Sequence, residues 1–197
     1  MKVGLLTGGG DCPGLNAVIR AVSKALILQH GAEVVGFIDG FEGMIEHRYT
    51  KLDYRDVSGI LTRGGTILGT SNKANPFDYH ARDGADVSDE IVELYEELEL
   101  DGVVAIGGDG TMSICHGLQQ KGVNFVGVPK TIDNDVAQTD MTFGFDTAVS
   151  IATEAIDRLH TTGQSHNRVM ILETMGRYSG WIALHAVLTG GADIILL

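Results

Sequence analysis

Short, continuous apolar runs recur along this chain, and most of them lead into or out of glycine turns. In order they are KVGLLT, EVVGFI, GVVAIG, NFVGVP and RVMILE. They are rich in valine, isoleucine and leucine and do not alternate with polar residues. This pattern is typical of strands that are buried on both faces of a parallel sheet. The sequence therefore predicts a sheet covered on both sides.

The segments between these runs have the spacing of amphipathic helices. One helical stripe follows the first glycine loop, and a second follows FGFD, where Asp146 is predicted to be the N-cap. Their apolar positions are Leu15, Val18, Ile19, Val22 and Leu26, then Ala148, Ile151, Ala152, Ala155, Ile156 and Leu159. The alternation predicts an α/β fold, a doubly wound and mostly parallel sheet with helices on both faces, and ligands at the carboxyl ends of the strands. Residues 72–86 show neither pattern and are predicted to form a mobile, functional loop.

The charge balance limits the kind of partner this protein can have. Lysine and arginine number 14 against 26 aspartates and glutamates, which gives a net charge of −12. Such a chain has no general attraction for nucleic acid or for an anionic membrane, so an anionic ligand must meet a local group of positive donors. No apolar run has the length of a signal-peptide core or of a membrane span, and we expect a cytoplasmic protein.

Two glycine turns are candidate phosphate sites. GGGDCPGLN follows the first run, and a glycine turn between strand and helix lets backbone N–H groups approach phosphate. This turn lacks the features of a P-loop or of a dinucleotide fingerprint, so a plain tight turn explains it equally well. GVVAIGGDGT is more specific, because Asp109 stands inside the turn. A carboxylate beside phosphate implies a cation, and Mg²⁺ is the natural one. The alternative is that Asp109 only caps a helix that starts near Thr111.

The run VPKTIDNDV ends in two carboxylates, Asp133 and Asp135. If the segment is extended, both side chains point to one face. Beside a phosphate donor, one carboxylate could accept the proton of an attacking hydroxyl while the other orients water or metal. Thr131 could donate to the transferring phosphoryl group. Arg168 and Arg177 flank the last apolar run and are candidate phosphate ligands.

The chain resembles the N-terminal part of the 6-phosphofructokinases over essentially all of its 197 residues. The resemblance lies in LTGGGDCPGLNAVIR, RGGTILGTS, IGGDGT, PKTIDND, FGFDTA, EAIDRL, SHNRV, MGRYSGWIAL and GGAD, in the family's order. It implies phosphoryl transfer to the 1-hydroxyl of fructose 6-phosphate, giving fructose 1,6-bisphosphate in glycolysis. Residues 1–197 would then hold the nucleotide-binding α/β domain and the beginning of the sugar-phosphate domain, without the C-terminal remainder of the family fold.

The resemblance also assigns residue roles. Asp133 would be the catalytic base, supported by Thr131, Asp135 and Arg177, and Asp109 would bind Mg²⁺. The donor phosphates would lie against Gly10, Asn72, Lys73, Gly108, Asp109, Gly110 and Thr111. Fructose 6-phosphate would lie against Thr131, Ile132, Asp133, Arg168, Met175, Gly176 and Arg177. Because the arginine matched by Arg168 reaches a sugar phosphate bound by a neighbouring subunit, the family pattern implies a homo-oligomer, a tetramer or a dimer.

The donor signature is mixed. Many ATP-dependent relatives have an arginine after the GGTILG turn, where this chain has Asn72 and Lys73. Pyrophosphate-dependent relatives carry an aspartate after GGD and a lysine before TIDND, whereas the commonest bacterial ATP-dependent members carry glycine at both positions. Here the residues are Gly110 and Lys130. Because a side chain at position 110 would occupy the volume of the nucleotide's α-phosphate, Gly110 favours ATP, and Lys130 keeps pyrophosphate as the alternative.

The sequence is compatible with three other functional interpretations, each weaker than the first. GGDGT also occurs in NAD kinases and diacylglycerol kinases, which are not expected to carry PKTIDND or MGRYSG. A fragment that binds ligand without turnover is compatible with the missing downstream segment. A nucleotide-binding module or a dehydrogenase does not explain paired aspartates beside a phosphate turn.

Overall fold

The computed structural model describes residues 1–197, which form two compact units, Met1–Lys130 and Thr131–Leu197. The strands of the first unit are β1 (Lys2–Thr7), β2 (Glu33–Phe37), β3 (Tyr49–Leu52), β4 (Gly102–Gly107) and β5 (Phe125–Thr131), of which the last residue begins the second unit. Its helices are α1 (Leu15–His30), α2 (Phe41–Ile45), α3 (Ser88–Glu97) and α4 (Asp109–Gln119). The second unit contains β6 (Phe143–Gly144), α5 (Phe145–His166) and α6 (Trp181–Gly190).

The sheet of the first unit has the strand order β3-β2-β1-β4-β5. Strand β1 lies between two parallel neighbours, since Val3 pairs with Val34 on one side and with Gly102 on the other. Strands β4 and β5 are also parallel, and only β3 at the edge is antiparallel. The chain thus runs outward in one direction from β1 through β2, then crosses back to β4. Such a reversal is the point where doubly wound sheets place their ligands.

Two apolar layers cover the faces of this sheet, as the continuous strands predict. Neighbouring residues of β1 belong to different layers because side chains alternate along a strand. Leu6 packs in a cluster with Met44, Ile91 and Leu118, which come from α2, α3 and α4. Leu5 packs instead in a cluster with α1 and residues 52–68. The prediction of a mostly parallel α/β sheet with helices on both faces is confirmed.

Two local predictions of secondary structure are wrong. Helix α5 begins at Phe145 and its N-cap is Gly144, with φ 108°, so Asp146 lies inside the first turn and does not cap the helix. Residues 168–173 form no strand, because no neighbouring strand supplies ladder hydrogen bonds; Val169 and Ile171 are 91% and 86% exposed. The edge strand β3 and the short helix α2 were not predicted.

The second unit has a small core of its own. Phe145, Ala152 and Ile156 of α5 pack against Ile182 and Ala186 of α6. Close packing of these two helices is visible at Gly190, where an added Cβ would lie 3.0 Å from Ile156. None of the helices in either unit has the length and apolar character needed to cross a membrane.

Candidate active site

The two predicted glycine turns lie side by side at the carboxyl ends of β1 and β4. The amide of Gly8 donates to the carbonyl of Ile106 over 2.9 Å. The side chain of Thr111, from α4, is wedged between the turns, where a Cβ on Gly8 would lie 2.6 Å from its Oγ1 and a Cβ on Gly107 would lie 2.3 Å away. Glycine is therefore required at both positions for the turns to approach α4 so closely.

Helix α4 begins at Asp109, with Gly108 as its N-cap and no side chain bonded to its first amides. The alternative in which Asp109 only caps a helix starting near Thr111 is wrong. Asp109 and Gly110 are both exposed, and the Asp109 carboxylate makes no hydrogen bond or ion pair. Free amides at a helix N-terminus favour an anion, while a free carboxylate beside it favours a cation. A carboxylate in this position suits Mg²⁺ that is also held by phosphate oxygens and water.

Asn72 and Lys73 are exposed beside the first glycine turn. The carbonyl of Ser71 accepts a hydrogen bond of 3.1 Å from the amide of Gly9, and Thr70 Oγ1 donates to the Gly9 carbonyl over 2.5 Å. The structure therefore brings Gly10, Asn72 and Lys73 to the same edge as the N-terminus of α4, as the predicted donor site requires.

Lys130 is buried beneath the first glycine turn, with 4% of its surface exposed. Its ammonium group donates to the carbonyl of Gly10, and no carboxylate lies within ion-pair distance. Burial lowers the pKa of Lys130, while Cys12 and Asp11 act in the opposite direction. A buried ammonium with one neutral partner retains two donors for an anion at the turn.

Two aromatic side chains anchor the predicted loop at 72–86 to the rest of the first unit. Tyr79 is 2% exposed, and its hydroxyl donates to Glu46 Oε1 over 3.1 Å. The ring of Phe77 packs on α4 at Gly117, where an added Cβ would lie 2.6 Å from it. Neither anchor was predicted from the sequence, in which the only signal is Gly117 inside α4.

The second unit holds the residues predicted to bind the sugar phosphate, which is the phosphoryl acceptor. Strand β5 ends at Thr131, and Asn134 has φ 50°, so residues 132–135 bend and the premise of an extended segment is wrong. The carboxylates still interact. The pKa of Asp133 is raised above its usual range by burial and by the charge of Asp135, against a lowering contribution from Arg177. Asp133 is half-buried, whereas Asp135 is exposed.

One oxygen of Asp133 is buried without a partner. Oδ1 of this carboxylate is inaccessible and accepts no hydrogen bond. The surrounding bend is nevertheless well fixed, since Thr142 is 2% exposed, donates from its amide to Asn134 Oδ1 over 2.9 Å and donates from its hydroxyl to the carbonyl of Thr131 over 2.7 Å. The Asp133 amide donates to Thr131 Oγ1 over 3.1 Å. An unsatisfied, partly desolvated carboxylate in a rigid bend is suited to accept a proton.

Met175, Gly176 and Arg177 begin a turn that precedes α6. Arg177 has φ 50°, a conformation uncommon for residues with a side chain, and it is exposed. Ser179 fixes this turn by donating to the Gly176 carbonyl and to the carbonyl of Asp133. The structure thus brings the predicted base and the predicted arginine turn together, through a serine that sequence analysis did not single out.

Two other residues predicted to bind the sugar phosphate lie apart from the arginine turn and the carboxylates. Ile132 is partly buried and packs on the core of the second unit rather than standing free. Arg168 follows α5 and is exposed; its side chain makes no hydrogen bond or ion pair with the other predicted residues.

The fold and the glycine turns are those of a doubly wound α/β protein with a ligand-binding edge at the carboxyl ends of its strands. Comparison with known proteins gives the family. The phosphofructokinase family model matches residues 2–197, and this chain belongs to that family.

Some similar proteins are named as ATP-dependent enzymes and others as pyrophosphate-dependent enzymes. The chain is 56% identical over 202 residues to ATP-dependent 6-phosphofructokinase 2 of Clostridium perfringens, covering 100% of this chain and 55% of that protein. It is 54% identical to the pyrophosphate–fructose 6-phosphate 1-phosphotransferase of Amycolatopsis mediterranei, covering 100% and 56%. Among solved structures, the phosphofructokinase of Saccharomyces cerevisiae superposes with a TM-score of 0.83 at 31% identity, over 98% of this chain and 28% of that one. The chain thus spans little more than half the length of the curated relatives.

Proposed function

We propose that the protein containing this chain transfers a phosphoryl group from ATP to the 1-hydroxyl of fructose 6-phosphate and so forms fructose 1,6-bisphosphate in glycolysis. The observation that carries the proposal is the carboxylate of Asp133. It is half-buried, has an oxygen without a partner, and its pKa is raised by burial and by Asp135. Such a group takes the proton of an attacking hydroxyl more readily than an ordinary surface carboxylate does.

The acceptor residues have separate tasks in this reaction. Asp133 accepts the proton from the 1-hydroxyl as that oxygen attacks phosphorus, and Thr131 donates to the transferring group. Asp135 keeps the pKa of Asp133 high, while Arg177 and the turn from Met175 hold the sugar phosphate. Arg177 lowers the pKa of Asp133 and so opposes the rise that burial and Asp135 cause.

The donor residues of the first unit supply positioning and charge compensation. Amides of Gly108–Thr111 and the turn at Gly10 face the phosphates, and Asn72 or Lys73 contacts them from the neighbouring loop. Asp109 would hold Mg²⁺, which supplies neutralisation of the charge that develops on the phosphate oxygens. Phosphoryl transfer depends mainly on such positioning.

ATP is the proposed donor because of Gly110. An added Cβ at this residue would meet no atom within 4 Å, so the space beside the helix N-terminus is open. Several relatives that are 55–56% identical to this chain are named as ATP-dependent enzymes. Pyrophosphate is the second candidate donor, since Lys130 offers a buried ammonium at the first glycine turn and two relatives are named as pyrophosphate–fructose 6-phosphate 1-phosphotransferases.

The remaining parts of the proposal follow from the family. Residues 1–197 comprise the donor-binding domain and the beginning of the sugar-phosphate domain. The protein acts in the cytoplasm, where glycolysis takes place, as a homo-oligomer in which Arg168 reaches the sugar phosphate of a neighbouring subunit. An exposed arginine without an intramolecular partner is consistent with that role.

The test is a coupled assay of the complete protein with fructose 6-phosphate and Mg²⁺, in which ATP and pyrophosphate are supplied in separate reactions. Turnover with ATP alone is the expected result. Turnover with pyrophosphate alone would keep the acceptor chemistry and overturn the donor. No turnover with either donor, in a protein that is folded by circular dichroism, would refute the proposed reaction.

A further inference from the structure

We infer that Ser179 is a positioning residue, which holds the arginine turn (Met175–Gly180) against the main chain of Asp133. The inference rests on the proposed function, because it assigns the turn to the sugar phosphate and Asp133 to the proton. It concerns a residue to which neither the family motifs nor the charge pattern gave a task.

The contacts of Ser179 join the two parts of the acceptor site directly. Its Oγ lies 2.8 Å from the carbonyl oxygen of Asp133 and 2.9 Å from the carbonyl oxygen of Gly176. Its amide also donates to the Gly176 carbonyl over 2.9 Å. A hydroxyl has one proton, so the two carbonyls share it or alternate as its acceptor. Of the side chains in this turn, only Ser179 forms a hydrogen bond to the segment that carries Asp133.

The turn needs such a tie because its backbone is unusual and little of it is packed. Arg177 and Gly180 both have left-handed φ angles, of 50° and 65°. Met175 and Tyr178 are 73% and 96% exposed, so apolar burial holds the turn weakly. Because left-handed residues with side chains persist only where their surroundings fix them, the hydroxyl of Ser179 is the contact that selects this conformation.

Position matters here because the two groups act on opposite ends of one substrate. The turn would hold the phosphate at carbon 6, while Asp133 would act at the hydroxyl on carbon 1. A small displacement between the turn and the carboxylate therefore misplaces the reacting oxygen even when both groups are chemically intact.

The experiment compares Ser179→Ala and Ser179→Cys in the complete protein. We expect Ser179→Ala to lower kcat/KM for fructose 6-phosphate by about 5- to 10-fold, the loss that one net hydrogen bond gives. The KM of the phosphoryl donor should stay unchanged, because the donor residues lie in the other unit of the chain. The thiol of Ser179→Cys is a weak donor and should give an intermediate loss.

Ser58→Ala is the matched control, because its hydroxyl also donates to a main-chain carbonyl, that of Tyr54, over 2.6 Å. It should leave kcat/KM for fructose 6-phosphate unchanged. A second comparison uses the Arg177→Ala background, in which Ser179→Ala should cost much less than in the wild-type background, since the side chain that it positions is gone. A full, additive loss there, or an equal rise in the KM of both substrates, would overturn the positioning role.

Hydrogen exchange gives a readout that does not depend on turnover. Amides at 175–180 should exchange faster in Ser179→Ala than in wild type, while those of α5 should not change. Unchanged exchange in the turn would overturn the inference even if the enzyme is active. Faster exchange in a protein whose wild type shows no activity on fructose 6-phosphate would instead refute the proposed function and leave the tie as a structural one.

Discussion

Asp133→Asn separates the catalytic role of the carboxylate from its effect on folding. Asparagine keeps the shape of the side chain but removes the charge and the ability to accept a proton from a hydroxyl. We expect turnover to fall about 10²- to 10⁴-fold, the contribution usual for general acid–base catalysis. Donor binding should be nearly unchanged, since no donor residue is altered.

The same substitution should stabilise the folded chain. Asparagine keeps a polar atom where Oδ1 of Asp133 has no partner, but it carries no charge, and partial burial disfavours a charged group more than a neutral one. Removing the charge also ends the repulsion from Asp135. A gain of about 1 kcal/mol in the free energy of unfolding corresponds to a rise of about 2–4 °C in Tm for a chain of this length.

The sign of the pH dependence follows from the raised pKa of Asp133. Between the ordinary pKa and the raised one, the folded protein binds more protons than the unfolded one, so wild-type stability falls as the pH rises through that window. Asp133→Asn lacks this fall. Its advantage in Tm should be full above the raised pKa and should vanish below the ordinary aspartate pKa.

The measurements are a coupled assay and differential scanning calorimetry at pH 7 and at acid pH. Asp140→Asn is the control, because Asp140 is an exposed carboxylate in the same loop and its substitution should change neither rate nor Tm. Retained turnover in Asp133→Asn would refute its role as the base. A lower Tm would refute the claim that the carboxylate is held at a cost to stability.

Three further predictions follow from the same geometry. Asp135→Asn should move the acid limb of the pH profile of kcat/KM to lower pH, because the charge that raises the pKa of Asp133 is gone; an unmoved limb would contradict this. Gly110→Asp should weaken use of ATP far more than use of pyrophosphate, with Tm unchanged since no atom lies within 4 Å of the added Cβ; equal loss with both donors would disprove the steric argument. Gly117→Ala should lower stability by about 1–3 kcal/mol, since its Cβ would lie 2.6 Å from the Phe77 ring, and Phe77→Leu in the same chain should restore it; an unchanged Tm in the single variant would show that the loop is not anchored there.

Much of the first unit could be predicted from the sequence because its signals are local. Continuous apolar runs gave four strands within a few residues of their observed bounds, and the helical spacing after Leu15 gave α1. RVMILE has the same local signal but forms no strand, since a strand depends on a neighbour that its own residues do not specify. Asp146 is not the cap because Gly144, with φ 108°, is the N-cap and lies two residues earlier.

The sequence by itself determined the fold class, the family and the residues that carry the proposed chemistry. Glycine turns, paired aspartates and apolar runs each consist of residues that are close together along the chain, so they can be recognised without the fold. Only the tertiary structure decided how those residues are placed. It buried Lys130 against the carbonyl of Gly10, left an oxygen of Asp133 unsatisfied, and joined the arginine turn to Asp133 through Ser179. These features depend on groups that are distant along the chain, and burial and hydrogen bonding arise only when folding brings such groups together.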